Sequence, residues 1–310
     1  DLYFTQVDSF VFKQTPILAA KKIINWVSYV PIDFDPIPEY IIRKLSNAKK
    51  VIAMSKWAMQ KLQNGGLENV NDYVYHGVDP SVYKPLKLSK EEIRKAYPNN
   101  IVESNEFLIT LIQKNAQNKD LVGQLRGIRM FIDSNPDVKI KVYIHSFPQG
   151  EFDLMNLIKY FKLEENCVLP NLYKYFHGLY SDSELSLIYN LADVNLNASA
   201  EGFGIPTIEA MACGTPTIAL NFGTSKELLN DLTPELSVNI KEFKLTSKFV
   251  EKPLPDPYDV TKKLEVVLYK PSNFYFNKIS EDTRNKFAWD NVTNKLKKSL
   301  NEIDLTGLKK

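Results

Sequence analysis

Cysteine and histidine are scarce in this chain, and long apolar runs are absent from it. The two cysteines among the 310 residues, Cys167 and Cys213, predict buried thiols in a reducing compartment and argue against a disulfide scaffold. No apolar run approaches the ~18 residues that a membrane-spanning helix needs, and no charged-then-apolar leader opens the sequence. We therefore expect a cytoplasmic protein, with at most a peripheral contact with a membrane.

An excess of charge of either sign is also missing. The 39 basic and 37 acidic residues give a formal net charge of +2, so no overall attraction to nucleic acid is expected. Two lysine-rich segments, KLSKEEIRK and NKLKKSLNEI, have mixed charge and are typical of solvated helix faces. Contact with anionic lipid or with a lipid-linked substrate is the alternative interpretation of these segments.

Strand and helix patterns alternate from residue 107 onward. Continuous apolar runs such as FLITLIQ are typical of buried parallel strands. They alternate with helical segments such as LVGQLRGIRMFIDS, which ends before Asn135-Pro136, and SDSELSLIYNLAD, which opens with a capping box of Ser181 and Glu184. This alternation predicts an α/β fold with a doubly wound parallel sheet.

The chain before about residue 80 is less regular. It contains a helix-like stretch around Ala19 to Val27 and the proline-rich YVPIDFDPIPEY, and then a short strand at Val51 to Met54 that is followed by a helix with Ser55 as N-cap. The segment YVYHGVDPSVYKPL suits a linker between domains. The tail TRNKFAWDNVTNKLKKSLNEI predicts a final helix.

The stretch NASAEGFGIPTIEAMACGTPTIAL, residues 197–220, concentrates unusual residues at a strand end. Pro206 suits the start of a helix and Gly214 its end, so the free N–H groups of that helix face the crevice where doubly wound sheets bind ligands. These N–H groups and the helix dipole favour an anion. Gly202 and Gly204 permit close approach of the backbone to a ligand.

Two carboxylates, Glu201 and Glu209, flank this predicted anion site. Like charges repel, but an ionised carboxylate accepts hydrogen bonds from hydroxyls. A sugar nucleotide has hydroxyls at both ends and a diphosphate between them, so we predict that Glu201 holds the hexose and Glu209 the ribose. The alternative for Glu209 is a simple interaction with the helix dipole.

The same residues resemble a known family. EGFGIPTIEAMACGTPTIA is similar to the E-x7-E signature of retaining glycosyltransferases of family 4, with both glutamates and the F-G-x-P and E-A-x-A-x-G-x-P frames present. HGVDPSVYKPL, SDSELSLIYNLADVNLNAS and KFAWDNVTNKL resemble, in order, the linker, the approach to the signature and the closing helix. The resemblance implies the GT-B fold, in which two Rossmann-like domains face a cleft.

The resemblance implies roles for further residues. Lys114 and Lys119 stand where the family has an Arg and a Lys that hold the diphosphate, and a Lys in the first position keeps the charge but loses bidentate contact. The loop with Gly178 and Leu179 resembles the one that meets the nucleobase through its backbone. The remaining loop residues expected to bind the donor are Phe203 and Ile205.

The resemblance also implies a division into domains. Residues 1–84, joined by the C-terminal helix 285–310, correspond to the acceptor-side domain, and residues 85–284 to the donor-binding domain. The family's opening strand with a glycine-rich loop is missing, so we expect the first domain to be reduced or the chain to begin inside it. Asp33 in PIDFDPIP is a candidate for the acceptor side. No catalytic role is predicted for His76, His145 or His177.

The implied function is transfer of a hexose from a nucleotide-diphosphate sugar, such as a UDP- or GDP-sugar, to a hydroxyl of a glycan, a lipid-linked acceptor or a protein. The resemblance implies retention of anomeric configuration. Neither a metal nor a cofactor is predicted, since lysines and a helix N-terminus take the place of an ion. The alternatives are a sugar-nucleotide 2-epimerase and a non-catalytic module that binds nucleotide sugars.

Overall fold

The computed structural model describes residues 2–97, 101–270 and 276–303, and these residues form two parallel sheets and one hairpin. The first sheet is built from the amino-terminal part of the chain, with strands paired in the order β1-β2-β3-β4. Its strands are β1 (Leu2–Gln6), β2 (Asn25–Val30), β3 (Lys50–Ala53) and β4 (Asp72–Tyr73), and the helices between them are α1 (Thr15–Ala20), α2 (Glu39–Leu45) and α3 (Lys56–Asn64).

The structure corrects one expectation for this part of the chain. The helix predicted around Ala19 to Val27 is wrong, because α1 ends at Ala20 and Asn25 begins β2. Every residue of β2 is buried, so its side chains face apolar surroundings on both sides of the sheet. In such a position the β-branched and aromatic residues of NWVSYV favour a strand over a helix.

The second sheet is larger and follows the helix α4 (Lys90–Ala96). Its six parallel strands pair in the order β10-β9-β8-β5-β6-β7. The strands are β5 (Phe107–Ile112), β6 (Ile140–His145), β7 (Cys167–Val168), β8 (Val194–Asn197), β9 (Thr217–Leu220) and β10 (Ser237–Val238). The helices on its faces are α5 (Leu121–Ser134), α6 (Leu154–Tyr160), α7 (Leu172–Phe176), α8 (Asp182–Leu191), α9 (Ile205–Ala212), α10 (Gly223–Asn230) and α11 (Pro257–Tyr269).

The order of the large sheet reverses beside β5. This strand pairs with β6 on one side and with β8 on the other, so the chain leaves it in one direction and later returns on the opposite flank. Ligands of doubly wound folds bind outside the carboxyl ends of the strands at such a switch point. The segments that follow β5 and β8 are therefore the ones that the topology places at a binding crevice.

An antiparallel hairpin lies outside both parallel sheets. It consists of β11 (Ile240–Leu245) and β12 (Glu251–Pro255). Val250, just before β12, is buried in the apolar core of the amino-terminal sheet rather than in that of the large sheet. The hairpin therefore crosses from the second domain to the first.

The carboxyl-terminal helices return toward the first domain. Helix α12 (Phe276–Phe287) packs against α9, and the chain then turns at Ala288 into α13 (Trp289–Asn301). The ammonium of Lys50 on β3 donates to the Ser299 carbonyl at 2.9 Å. The tail predicted as one helix thus forms two. The predicted boundary at residues 84 and 85 stays a prediction, and residues 304–310 of the predicted closing helix lie outside the described residues.

A glutamate of the second domain caps a helix of the first. The Glu227 carboxylate on α10 accepts from the backbone N–H groups of Lys56 at 3.1 Å and Trp57 at 2.7 Å, at the start of α3. The Tyr75 hydroxyl donates to the same carboxylate at 2.6 Å. A carboxylate at a helix N-terminus satisfies free donors and interacts favourably with the helix dipole. These bonds fix the two domains relative to each other.

We predict that Glu227→Ala lowers the stability of the protein by about 2 kcal/mol, because two backbone donors and a hydroxyl at the domain interface lose a charged acceptor. Thermal or urea denaturation measures the change. Lys226→Ala, at the exposed neighbouring position of α10, is the matched control and should unfold like the unmodified protein. Equal midpoints for the two variants would contradict the capping role.

Candidate active site in the cleft

An ion pair occupies the switch point of the large sheet. Lys119 lies in the segment after β5 and Glu201 in the segment after β8, and the Lys119 Nζ and Glu201 Oε1 atoms are 2.6 Å apart. The two side chains are only 14% and 12% exposed. The Ser199 hydroxyl donates to the same Oε1 atom at 3.0 Å. The structure therefore brings together a cation and a carboxylate that the sequence analysis assigned to diphosphate and hexose.

The glycine loop between β8 and α9 is shaped by its contact with the first domain. A Cβ atom at Gly202 would lie 2.4 Å from the Cβ atom of Pro31, so a larger residue does not fit there. Gly204 has φ of 103° and is the N-cap of α9 without a capping side chain, so the helix begins at Ile205 and Pro206 is its second residue. Pro206 has no N–H and the Thr207 N–H donates to the Gly204 carbonyl at 3.0 Å, so the start of α9 offers an anion the Ile205 N–H and the positive end of the helix dipole.

A cavity of about 340 Å³ joins this loop to the first domain, and we call it the cleft cavity. It is bounded on one side by residues at the carboxyl ends of the amino-terminal strands and on the other by the glycine loop. Its lining residues are Gln6, Val7, Asp8, Pro31, Met54, His76, Glu201, Gly202, Phe203, Gly204, Ile205 and Pro206. Glu201 is therefore accessible from the cleft between the domains.

His76 belongs to this lining although no role was predicted for it. Its ring packs against Phe203 and Trp289, and its Nδ1 atom accepts from the Gly77 N–H at 3.2 Å. Burial lowers the pKa of His76 below its usual value, so the ring is neutral at neutral pH. Its position in the linker gave no signal, because only the folded chain brings the linker beside the glycine loop.

Phe203 has a mainly structural position. It is buried, and its ring lies 5.9 to 6.1 Å from the rings of His76, Tyr75 and Phe287. This aromatic cluster anchors the glycine loop to the linker and to α12. Phe203 thus anchors the predicted donor-binding loop on the side of the linker and α12, while Gly202 and Gly204 line the cleft cavity.

Glu209 lies apart from Glu201. Its carboxylate, one turn into α9, accepts from the Tyr189 hydroxyl at 3.0 Å and from the Tyr83 hydroxyl. Among the described residues that line the cleft cavity, Glu209 is not included. Burial raises the pKa of Glu209 to about 7. The two signature glutamates therefore have different surroundings, and the tyrosines that hold Glu209 were not identified from the sequence.

Lys114 and the loop of Gly178 and Leu179 complete the predicted donor residues. Lys114 is exposed in the segment after β5. The N–H groups of Gly178 and Leu179 donate to the carbonyls of Tyr175 and Lys174, so both amides already serve to end α7. Their carbonyl oxygens are the backbone groups of this loop that remain to meet a nucleobase.

An aromatic cluster that the sequence analysis missed lies beside this loop. His145, at the end of β6, packs edge-on against Tyr175 and Tyr180 at 5.0 and 4.8 Å between ring centroids. The Tyr143 hydroxyl and the His145 Nδ1 atom are 2.9 Å apart, and burial lowers the pKa of His145 to about 4. A neutral aromatic surface at the carboxyl end of a strand suits stacking with a planar base.

Asp33 and Asp35 form an Asp-x-Asp run. The prediction that the site needs no metal did not consider these two carboxylates. The Asp33 carboxylate pairs with the ammonium of Lys252 on β12, and the Asp35 carboxylate pairs with Lys61 on α3. Within residues 2–97, 101–270 and 276–303, no three His, Cys, Asp or Glu side chains cluster as metal ligands. The absence of a metal requirement stays a prediction.

Comparison with known proteins supports the predicted fold, and it relates one segment of the chain to a known family. Anabaena HepE in complex with UDP-glucose superposes with a TM-score of 0.74 at 15% identity over 98% of this chain and 79% of that protein. The sucrose-phosphate synthase of Thermosynechococcus elongatus superposes with a TM-score of 0.70 at 16% identity over 97% of this chain and 73% of that one. The chain therefore has the GT-B fold, as predicted.

Residues 156–252 match the family described as "Glycosyl transferases group 1". An uncharacterized glycosyltransferase of Sulfolobus islandicus rod-shaped virus 1 is 27% identical over 199 residues, which is 61% of this chain. The matched part spans about half the length of that viral relative, 53%. Of the predicted site residues, Lys114, Lys119 and Asp33 lie outside the family match, and the assignment to family 4 stays a prediction.

The described helices include none that is long and apolar enough to cross a membrane.

We predict that Glu209→Gln stabilises the protein in a pH-dependent manner. The Glu209 carboxyl holds its proton to a higher pH in the folded chain, about 7, than its ordinary value of 4.5. The unfolded chain therefore binds fewer protons between these values, and stability falls as pH rises through this window. The advantage of the variant should be small near pH 4.5, grow to about 3 kcal/mol as the pH passes 7, and stay constant at about pH 8 and above.

Thermal unfolding from pH 4.5 to 8 measures this difference. Glu281→Gln, on the exposed face of α12, controls for the loss of one charge. A constant difference between Glu209→Gln and the unmodified protein across the whole range would contradict the raised pKa.

Proposed function

We propose that the protein is a retaining glycosyltransferase that moves a hexose from a nucleotide-diphosphate sugar to an acceptor hydroxyl. The observation that carries the proposal is the largely buried Lys119–Glu201 pair at the switch point, next to the start of α9, which has no capping side chain. In support, residues 156–252 match glycosyl transferases group 1, and HepE, which has the same fold, was crystallised with UDP-glucose.

The donor lies with its diphosphate between Lys119 and the start of α9, and its hexose extends into the cleft cavity. Both hydrogen-bond partners of Glu201 contact Oε1, so Oε2 accepts from hexose hydroxyls. The ribose hydroxyls reach Glu209, which has Tyr189 as its neighbour. The nucleobase stacks near His145 and meets the carbonyls of Gly178 and Leu179. Uracil, the base of UDP, is the one that the HepE complexes suggest, and guanine, the base of GDP, is the alternative.

The reaction begins with loosening of the bond between the anomeric carbon and the diphosphate oxygen. Negative charge develops on that oxygen, and the ammonium of Lys119, aided by Lys114 and by the α9 dipole, stabilises it. The acceptor hydroxyl attacks from the same face, and its proton passes to the leaving oxygen. Neither a protein nucleophile nor a metal ion is needed in this scheme.

The acceptor is a glycan, a lipid-linked molecule or a protein. We also propose that the protein is cytoplasmic and contacts membranes only peripherally.

We predict that Lys119→Ala lowers kcat about 100- to 1000-fold, as expected for loss of one preorganised electrostatic partner of the leaving group. Consumption of UDP-glucose and GDP-sugars by purified protein is measured by release of nucleotide diphosphate. Lys139→Ala, at an exposed lysine immediately before β6, is the control and should retain full activity. Failure of the unmodified protein to bind or to cleave any sugar nucleotide would refute the proposed function, and formation of an epimeric sugar without an acceptor would indicate an epimerase.

The two signature glutamates should differ in their effects. We predict that Glu209→Ala weakens nucleotide binding about tenfold, whereas Glu201→Ala chiefly lowers turnover, because the former loses an acceptor for the ribose and the latter an acceptor for the hexose. Calorimetric titration with the nucleotide diphosphate gives Kd, and steady-state kinetics gives kcat. Affinity of the unmodified protein should rise through pH 7 as Glu209 ionises. Equal and negligible effects of both changes would contradict the assigned roles.

A further inference from the structure

The hairpin β11–β12 is held against the first domain by several kinds of contact. Val250 is 2% exposed and lies in the core of the amino-terminal sheet. The Lys252 ammonium pairs with the Asp33 carboxylate and donates to the Asp33 carbonyl at 3.3 Å. The Tyr40 hydroxyl donates to the Lys248 carbonyl at 3.2 Å. The hairpin thus has a fixed position at the edge of the interdomain cleft.

A second cavity, of about 210 Å³, lies between this hairpin and the two domains and is partly open to solvent, and we call it the hairpin pocket. The first domain, the segment before Lys119 and the hairpin turn all contribute to it. Its lining residues are Asp8, Phe10, Asp33, Asn118, Thr246, Ser247, Lys248, Val250 and Lys252. No single domain of the protein could form this pocket.

The hairpin pocket adjoins the proposed reaction centre. Asp8 lines both the hairpin pocket and the cleft cavity that contains Glu201, so the two spaces are neighbours at this residue. Asn118 directly precedes Lys119 in the chain. Burial lowers the pKa of Lys252, and the nearby charge of Lys119 lowers it further. A molecule in the hairpin pocket would therefore lie next to the leaving group.

The groups around the pocket indicate the class of ligand. Two carboxylates are balanced by two ammonium groups, and an amide and two hydroxyls add neutral donors and acceptors. The Lys248 ammonium covers the Phe10 ring at 4.3 Å from its centroid. A balanced and polar lining suits a neutral molecule with many hydroxyls, whereas a strongly anionic or an apolar ligand would leave part of it unpaired.

We propose that the hairpin pocket is the acceptor subsite and binds the sugar unit that receives the hexose, with Asp8 accepting a hydrogen bond from a hydroxyl next to the attacking one. This inference rests on the proposed function. In the transfer, the acceptor oxygen bonds to the anomeric carbon while the bond from that carbon to the diphosphate breaks. The electron pair stays on the diphosphate oxygen, which takes the proton of the acceptor. Asp8 is a positioning residue for the acceptor, and the hairpin selects which sugar fits.

The test fills the pocket without altering the donor side. Ser247→Trp places a large ring at an exposed pocket residue, and Leu245→Trp, on the same hairpin and 61% exposed outside the pocket, is the matched control. Transfer from the active donor to a panel of para-nitrophenyl monosaccharides is measured, together with donor Kd and hydrolysis of the donor without acceptor. We expect Ser247→Trp to raise the acceptor KM at least tenfold with donor Kd unchanged, and Leu245→Trp to change neither.

Asp8→Asn gives a second, nearly isosteric variant. We expect it to lower kcat for transfer about tenfold while donor hydrolysis persists. Unchanged transfer by both Ser247→Trp and Asp8→Asn would overturn the subsite proposal. Donor hydrolysis with no transfer to any monosaccharide of the panel would overturn the assignment of a sugar acceptor, with the proposed donor chemistry left standing. If the unmodified protein does not bind any sugar nucleotide, the proposed function itself is refuted.

Discussion

The Lys119–Glu201 ion pair joins the two segments at which the large sheet reverses its strand order, and most features of the cleft are arranged around it. Both side chains are largely removed from solvent, and each charge is balanced by the other. The pair lies next to the start of α9, which has no capping side chain, and the positive end of a helix dipole is itself attractive to anions. A carboxylate, an ammonium group and a helix N-terminus thus share one small volume. In the function that we propose, a sugar nucleotide places its hydroxyls and its phosphates side by side in that volume.

The site also depends on the contact between the domains, because half of its walls come from each. Gly202 packs against Pro31 with no room for a side chain, and Glu227 caps α3 across the same interface. The Thr224 hydroxyl lies within hydrogen-bond distance of the Ser55 hydroxyl and of the Gly202 carbonyl. The glycine loop is therefore fixed from both domains. The hairpin adds a second bridge at the other edge of the cleft and encloses a polar pocket there.

Glu209 shows how far a motif can be interpreted before the structure is known. Its spacing from Glu201 places it one helical turn into α9, as expected. Its partners, Tyr83 and Tyr189, come from the linker and from α8, and no pattern in the sequence relates them to it. Their packing buries the carboxylate and raises its pKa to about 7, so its charge responds to pH near neutrality. The role of this residue is therefore decided by its neighbours as much as by the motif.

The sequence by itself determined the doubly wound sheet, the capping box of Ser181 and Glu184, the start and end of α9, and the pairing of glycines with carboxylates at a strand end. These features depend on contacts between residues close in the chain and on apolar periodicity, which are local. Only the tertiary structure decided that β2 is a strand, that His76 faces the cleft, that Asp33 pairs with Lys252, and that a hairpin closes a pocket beside Asp8. Each of these depends on segments distant in sequence that meet only when both domains have folded and docked.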